Sequence, residues 1–149
     1  MINFEKLLPE NHADLGPALL RVGLGTVLIT HGLLKVFVFT PAGTAAFFGS
    51  LGVPLALIMA FGTIAFEVLG GALLIGGVAT RLISLISIPL MLGAIFFVHG
   101  DKGWLFANEG GGWEYPAFLA LAALVQFLVG PGKLLPRQAT ATFNEVKPA

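Results

Sequence analysis

The chain has 149 residues, of which 56% are apolar and only 11% are charged, with a formal net charge of +0 at pH 7. An ordinary soluble domain carries about 25% charged residues, so this composition indicates a membrane protein. A neutral chain without a basic block lacks the electrostatic footprint of a nucleic-acid-binding protein, and we therefore exclude nucleic acid as a partner. The length predicts one domain over residues 1–149.

The absence of cysteine limits the chemistry that the chain can perform. Thiolate zinc sites, iron–sulfur clusters, covalently attached haem and dithiol redox motifs are all excluded. No histidine or carboxylate spacing typical of a metal site is present either, so we predict no metal ligands. Any redox chemistry must therefore use a bound organic cofactor or the cofactor of a partner.

Four apolar segments approach the roughly 20 residues that a helix needs to cross the hydrocarbon of a bilayer. They are predicted at about residues 17–39, 54–79, 82–99 and 115–130. The fourth is short, but Trp113 and Tyr115 at its start are typical of a membrane interface, and Gly130 and Pro131 end it. The sequence thus predicts an all-α integral membrane four-helix bundle.

The segment from Thr40 to Gly52 lies between the first two spans and is apolar but too short to cross a membrane. Turn residues bound it on both sides, and Thr40 is a suitable N-cap. We therefore predict a short interfacial or re-entrant helix at this place.

The Lys and Arg residues are distributed unevenly between the two ends of the predicted bundle. Six lie on the side of both termini, whereas Lys35 and Lys102 lie on the opposite side. Because short cytoplasmic loops carry an excess of Lys and Arg, we expect both termini in the cytoplasm. Residues 137–149 are predicted to form a polar tail.

Glu67 is the single ionisable residue of the second span. A charged carboxylate near the centre of a membrane helix costs roughly 2.5–3.5 kcal/mol, so Glu67 should face protein and have a partner. Counting a rise of about 1.5 Å per residue places Glu67 between Arg21 and His31 of the first span, and Arg21 is the predicted partner. Two interpretations stay open, a structural ion pair and a group that transfers protons.

Four residues are predicted near the opposite end of the bundle, where they can form a polar pocket: His31, Lys35, His99 and Trp104. A pair of histidines can ligate haem or a metal, but the spacing here does not support such a site. In the simpler interpretation, Lys35 and Arg21 extend to the headgroup layers and His99 is an ordinary interfacial residue.

Several short motifs follow one another over about residues 17–137, namely Arg21, Thr30–Lys35, Ser50–Pro54, Glu67–Gly76, Thr80–Arg81, His99–Gly100 and Gly130–Leu134. In this order and spacing they resemble the DoxX family. The resemblance implies a four-helix protein of the bacterial inner membrane. The family's recurring polar positions match these residues here: Arg21, His31, Lys35, Glu67, Arg81 and His99.

DoxX-like proteins are similar to the membrane subunit of a thiosulfate:quinone oxidoreductase, so the resemblance implies a quinone-linked membrane subunit. The candidate catalytic residues are then Glu67, His31 and His99, and the candidate quinone- or substrate-binding residues are Lys35, Trp104 and Arg21. Expected partners are the lipid bilayer, a quinone, and a second redox subunit or a second copy of the chain. The alternative is a non-catalytic membrane scaffold or a small-molecule carrier.

Overall fold

The computed structural model describes residues 12–134, and over that range the chain is helical without any strand. Five helices follow one another in the described part: α1 (His12–Phe37), α2 (Pro41–Ser50), α3 (Ala56–Gly76), α4 (Thr80–Lys102) and α5 (Glu114–Val129). A wider π-helical turn lies within α3 at Phe66–Gly70 and another within α4 at Ile95–His99. The predicted polar tail, 137–149, lies outside the described residues.

Three of these helices are long and apolar enough to cross a membrane: α1 has 26 residues, α3 has 21 and α4 has 23. The fourth predicted span corresponds to α5, which is apolar but has only 16 residues. At a rise of 1.5 Å per residue α5 covers about 24 Å, somewhat less than the hydrocarbon core. The all-α prediction is confirmed, and α1 begins at His12, before the predicted start at residue 17.

Glycines allow α1 and α3 to approach until their backbones touch. A β-carbon on Gly25 would lie 2.6 Å from the carbonyl oxygen of Gly71, and one on Gly71 would lie 2.7 Å from that of Gly25. A β-carbon on Gly32 would lie 3.0 Å from the β-carbon of Glu67. These contacts fix the register of the two helices, with Gly25 opposite Gly71 and Gly32 opposite Glu67.

The second close pair consists of α4 and α5, which run antiparallel and pack along most of their length. The apolar core of the bundle lies between this pair and the α1–α3 pair. It is formed by Leu24, Leu28, Leu74, Ile83, Leu119 and Ala122.

The predicted short helix between the first two spans is α2, and Thr40 is its N-cap. The Thr40 side-chain oxygen accepts a hydrogen bond from the backbone N–H of Gly43 at 3.1 Å. This helix packs mainly against α3. Its position relative to a bilayer stays a prediction.

The two ends of the bundle differ in the polar residues that they hold, and we name them accordingly. The arginine end contains Arg21, Arg81 and the turn that joins α3 to α4. The histidine end contains His31, His99 and the loop 103–113 between α4 and α5.

Candidate functional site

A buried ion pair joins α1 to the π-helical turn of α3. The Nζ atom of Lys35 lies 2.8 Å from each of the two carboxylate oxygens of Glu67. The side chains of Lys35 and Glu67 expose only 18% and 6% of their surface. Because a lone charge in this apolar setting is costly, the two residues are better accommodated as a pair than either would be alone.

Lys35 is the partner of Glu67, and the predicted pairing of Glu67 with Arg21 is wrong. The prediction estimated the depth of Glu67 from the ends of the apolar segments. In the structure, the glycine contacts set the register between α1 and α3. In this register Glu67 lies opposite Gly32, within one helical turn of Lys35. Arg21 is about three turns away from Gly32 along α1, toward the other end of the bundle.

Arg21 instead binds the carboxyl end of α3. Its Nε donates to the carbonyl oxygen of Pro131 at 2.8 Å, and its Nη1 donates to that of Leu74 at 2.8 Å and also to that of Ile75. Leu74 and Ile75 lie in the last turn of α3, which ends at Gly76, so their carbonyls carry the negative dipole end of that helix. The Leu74 carbonyl also accepts from the backbone N–H of Gly77 at 3.0 Å. Arg21 therefore links α1 to the last turn of α3 and to Pro131, at the arginine end of the bundle. Its predicted role in binding quinone or substrate stays a prediction.

Arg81 makes the corresponding contact with α5. Its Nη1 donates to the carbonyl oxygens of Phe127 at 3.0 Å and Leu128 at 3.2 Å, in the last turn of that helix. The sequence offers little indication of this contact. It shows only that Arg81 lies close to the end of the second predicted span and that Gly130 and Pro131 end the fourth.

An open groove of about 900 Å³ lies at the histidine end, between α1, α5 and the loop 103–113. Its walls are mostly apolar or aromatic, and they are formed by His31, Trp104, Phe106, Glu114, Tyr115, Ala117, Phe118 and Leu121. Apolar and aromatic walls with a few polar groups are typical of sites that bind a small organic molecule.

Hydrogen bonds within the protein decide which atoms of the groove remain for a ligand. Nδ1 of His31 lies 2.8 Å from the carbonyl oxygen of Val27. A carbonyl can only accept, so Nδ1 carries a hydrogen and Nε2 is the nitrogen left for a ligand. In the neutral ring Nε2 is an acceptor, and in the protonated ring it is a donor.

Aromatic contacts hold the loop 103–113 beside α5. The rings of Trp104 and Trp113 meet edge to face with centroids 4.5 Å apart, and those of Phe106 and Tyr115 lie 6.0 Å apart. The backbone N–H of Phe106 also donates to Oε1 of Glu114 at 2.7 Å. These contacts shape one wall of the groove.

The structure brings only part of the predicted pocket together. His31 and Trp104 line the same groove, and the His31 ring stacks on Tyr115 with centroids 6.5 Å apart. Lys35 belongs to the ion pair with Glu67, and His99 holds the loop through Nδ1, which lies 2.9 Å from the carbonyl oxygen of Gly111. Neither of these two residues lines the groove.

Sequence reasoning missed most of the groove walls, above all Phe106, Glu114 and Phe118. The run Trp113–Tyr115 was recognised as an interfacial anchor, but nothing in it indicated that the loop folds back over α5. Tyr115 therefore appeared as a lipid contact, whereas its ring lies between those of His31 and Phe106.

A helical bundle with three helices of membrane length and an ion pair buried among them defines an integral membrane protein of the all-α class. The sequence profile of the DoxX family matches residues 16–100, and the chain belongs to this family. The profile covers α1 to most of α4, with Arg21, Lys35 and Glu67, and ends before the loop 103–113.

One curated relative comes from Bacillus subtilis (strain 168) and carries the name "Putative oxidoreductase CatD". This chain is 35% identical to it over 117 residues, which cover 78% of this chain and 81% of the relative. No solved structure matches the chain significantly.

Proposed function

We propose that this protein is the membrane subunit of a quinone-linked oxidoreductase and that the groove at the histidine end binds the quinone ring. The observation that carries the proposal is the placement of one imidazole, with a free Nε2, in an aromatic groove one helical turn from a buried ion pair. Membership of the DoxX family and the oxidoreductase name of the relative support a redox-associated role in the membrane.

The residues of the groove fit this cofactor class. Tyr115, Phe118 and Trp104 supply flat apolar surfaces for a ring, and His31 supplies the polar contact that orients it. A bound quinone would supply the two-electron chemistry that a chain without cysteine or a recognisable metal motif lacks. When protonated, His31 donates from Nε2 to a ligand oxygen, and when neutral it accepts a proton there.

The ion pair gives the groove a neighbouring proton acceptor. Lys35 follows His31 by four residues on α1, so the two side chains lie on one face of that helix. Lys35 in turn holds Glu67 through both carboxylate oxygens. We infer that Glu67 exchanges protons with His31 and that Lys35 keeps the carboxylate in reach of α1. The electrons come from a partner subunit or a small reductant, for which the DoxX resemblance indicates a sulfur compound such as thiosulfate.

We also propose that the protein lies in the bacterial inner membrane with the arginine end and both termini in the cytoplasm. The excess of Lys and Arg on the side of the termini supports this orientation. The groove then opens at the outer leaflet, where it exchanges ligand with the lipid.

Intrinsic fluorescence tests the proposed site, because the chain has only 2 tryptophans. Trp104 lines the groove and Trp113 contacts it edge to face, so both report on a ring bound there. We expect a short-chain quinone added to the protein in lipid nanodiscs to quench the emission in a saturable manner.

Matched variants locate the quenching within the molecule. Ala117→Phe fills the groove and should abolish the saturable part, whereas Ala72→Phe, at an exposed position of α3 outside the groove, should leave it unchanged. Quenching that rises linearly with quinone and is the same in Ala117→Phe would contradict the proposal.

A scaffold or carrier without catalysis is the second candidate, and one observation favours it. Arg21, Arg81 and the pair of Lys35 with Glu67 all bind groups of another helix, as expected of residues that fix helix register. Absence of saturable quinone binding in the fluorescence titration would make this the better description.

A further inference from the structure

The paired helices α4 and α5 carry three enclosed polar side chains at the end of the bundle opposite to the groove. Thr80, Ser84 and Gln126 expose 3%, 0% and 0% of their surface. Lipid-facing and helix-facing positions of membrane helices are mostly apolar, so three enclosed polar residues at one helix interface require partners.

Three oxygens of this group have no hydrogen-bond partner within residues 12–134: Thr80 Oγ1, Ser84 Oγ and Gln126 Oε1. Other polar atoms nearby are satisfied. Gln126 donates through Nε2 to the carbonyl oxygen of Gly130, and the hydroxyl of Ser87 donates to that of Ile83 at 2.8 Å. Because buried polar groups nearly always have a partner, the three remaining oxygens indicate that something else binds there.

Contacts between α4 and α5 place Thr80, Ser84 and Gln126 at similar depth along the two helices. Arg81 donates to the carbonyl oxygens of Phe127 and Leu128, so the start of α4 lies beside the last turn of α5. Thr80 and Ser84 are one turn apart on one face of α4. Because the helices are antiparallel, Gln126 lies at a level between them.

We propose that Thr80, Ser84 and Gln126 form a binding site for one internal water molecule that bridges α4 to α5. Water donates to the Gln126 amide oxygen and exchanges hydrogen bonds with the two hydroxyls, which rotate to donate or accept. A single water with two to four polar partners is the ligand that such enclosed sites hold in proteins. The three side chains are uncharged, so a neutral ligand fits better than an ion.

A high-resolution structure of the full chain in detergent or nanodiscs tests this directly. We expect a density peak at hydrogen-bond distance, about 3 Å, from Ser84 Oγ and Gln126 Oε1. The peak should be lost in Ser84→Ala. Absence of the peak in a map that shows other buried waters would overturn the proposal. A peak with contacts of about 2.4 Å would also overturn it, since that distance indicates a cation.

A double-mutant cycle on thermal unfolding provides a second test. Ser84→Ala and Gln126→Met should each lower the Tm, and the double variant should lose less than the sum, because both changes remove the same bridge. Ser87→Ala is the matched control, since its hydroxyl already bonds Ile83 and its loss should add to that of Gln126→Met. Additive losses for the Ser84 and Gln126 variants would refute the bridge.

Discussion

Breaking the ion pair between Lys35 and Glu67 should have an asymmetric effect on stability. Lys35→Met leaves the Glu67 carboxylate, whose side chain is 6% exposed, without the cation that accounts for both of its 2.8 Å contacts. Removing one partner of such a buried pair typically costs about 3–5 kcal/mol. We expect Lys35→Met to lower the free energy of unfolding by an amount in this range.

The reverse change should cost less. Glu67→Gln replaces the carboxylate by an amide whose oxygen can still accept a hydrogen bond. Lys35 then lacks its anionic partner, but its side chain is 18% exposed and lies two residues from the end of α1 at Phe37. A lysine so placed can extend its ammonium group toward the headgroups, so we expect a loss of about 1–3 kcal/mol. The double variant should lose less than the sum of the two single losses, because it leaves no unpaired charge.

Unfolding in mixed micelles, followed by circular dichroism, measures these losses. The pair of Arg21→Gln with Glu67→Gln is the matched control, and its losses should add to within about 0.5 kcal/mol, because the two residues share no contact. Additive losses for Lys35 and Glu67, together with strong coupling between Arg21 and Glu67, would refute the register described here.

Three further predictions follow from close contacts and charge. Gly25→Ala should destabilise the bundle by about 1–3 kcal/mol, because its β-carbon would lie 2.6 Å from the Gly71 carbonyl oxygen. Gly23→Ala is the control for thermal unfolding and should leave the stability unchanged, because its β-carbon would have nothing within 4 Å. Gly112→Ala places a β-carbon 2.2 Å from the Leu105 carbonyl oxygen, so the loop should open and tryptophan emission should shift to longer wavelength. A carboxy-terminal alkaline phosphatase fusion should be inactive if the termini are cytoplasmic, and strong activity would overturn that orientation.

The helices of this protein could be predicted from sequence because long apolar runs and local capping signals determine them. The N-cap at Thr40 is one example, since a side-chain oxygen bonding the third following N–H depends only on neighbouring residues. The partner of Glu67 could not be predicted in the same way. It depends on the register of two helices, which the contacts of Gly25 and Gly32 with α3 determine.

The candidate site was predictable only where single residues carried the signal. His31 and Trp104 were recognised by residue type and by their place near a predicted membrane interface. The remaining walls depend on the fold of the loop 103–113, in which the N–H of Gly112 donates to the Leu105 carbonyl and Trp113 meets Trp104 edge to face. Such contacts within an irregular loop have no sequence periodicity.

Photo-crosslinking with an azido-quinone, mapped by mass spectrometry, tests the central claim most directly. In native membranes or nanodiscs we expect labelling on the groove walls, His31 and the segment from Trp104 to Leu121, with competition by excess unmodified quinone. Labelling should fall strongly in Ala117→Phe and stay unchanged in Ala72→Phe, at an exposed position of α3 outside the groove. Labels spread over the lipid-facing surfaces of α3 and α4, without competition, would contradict a quinone site in the groove.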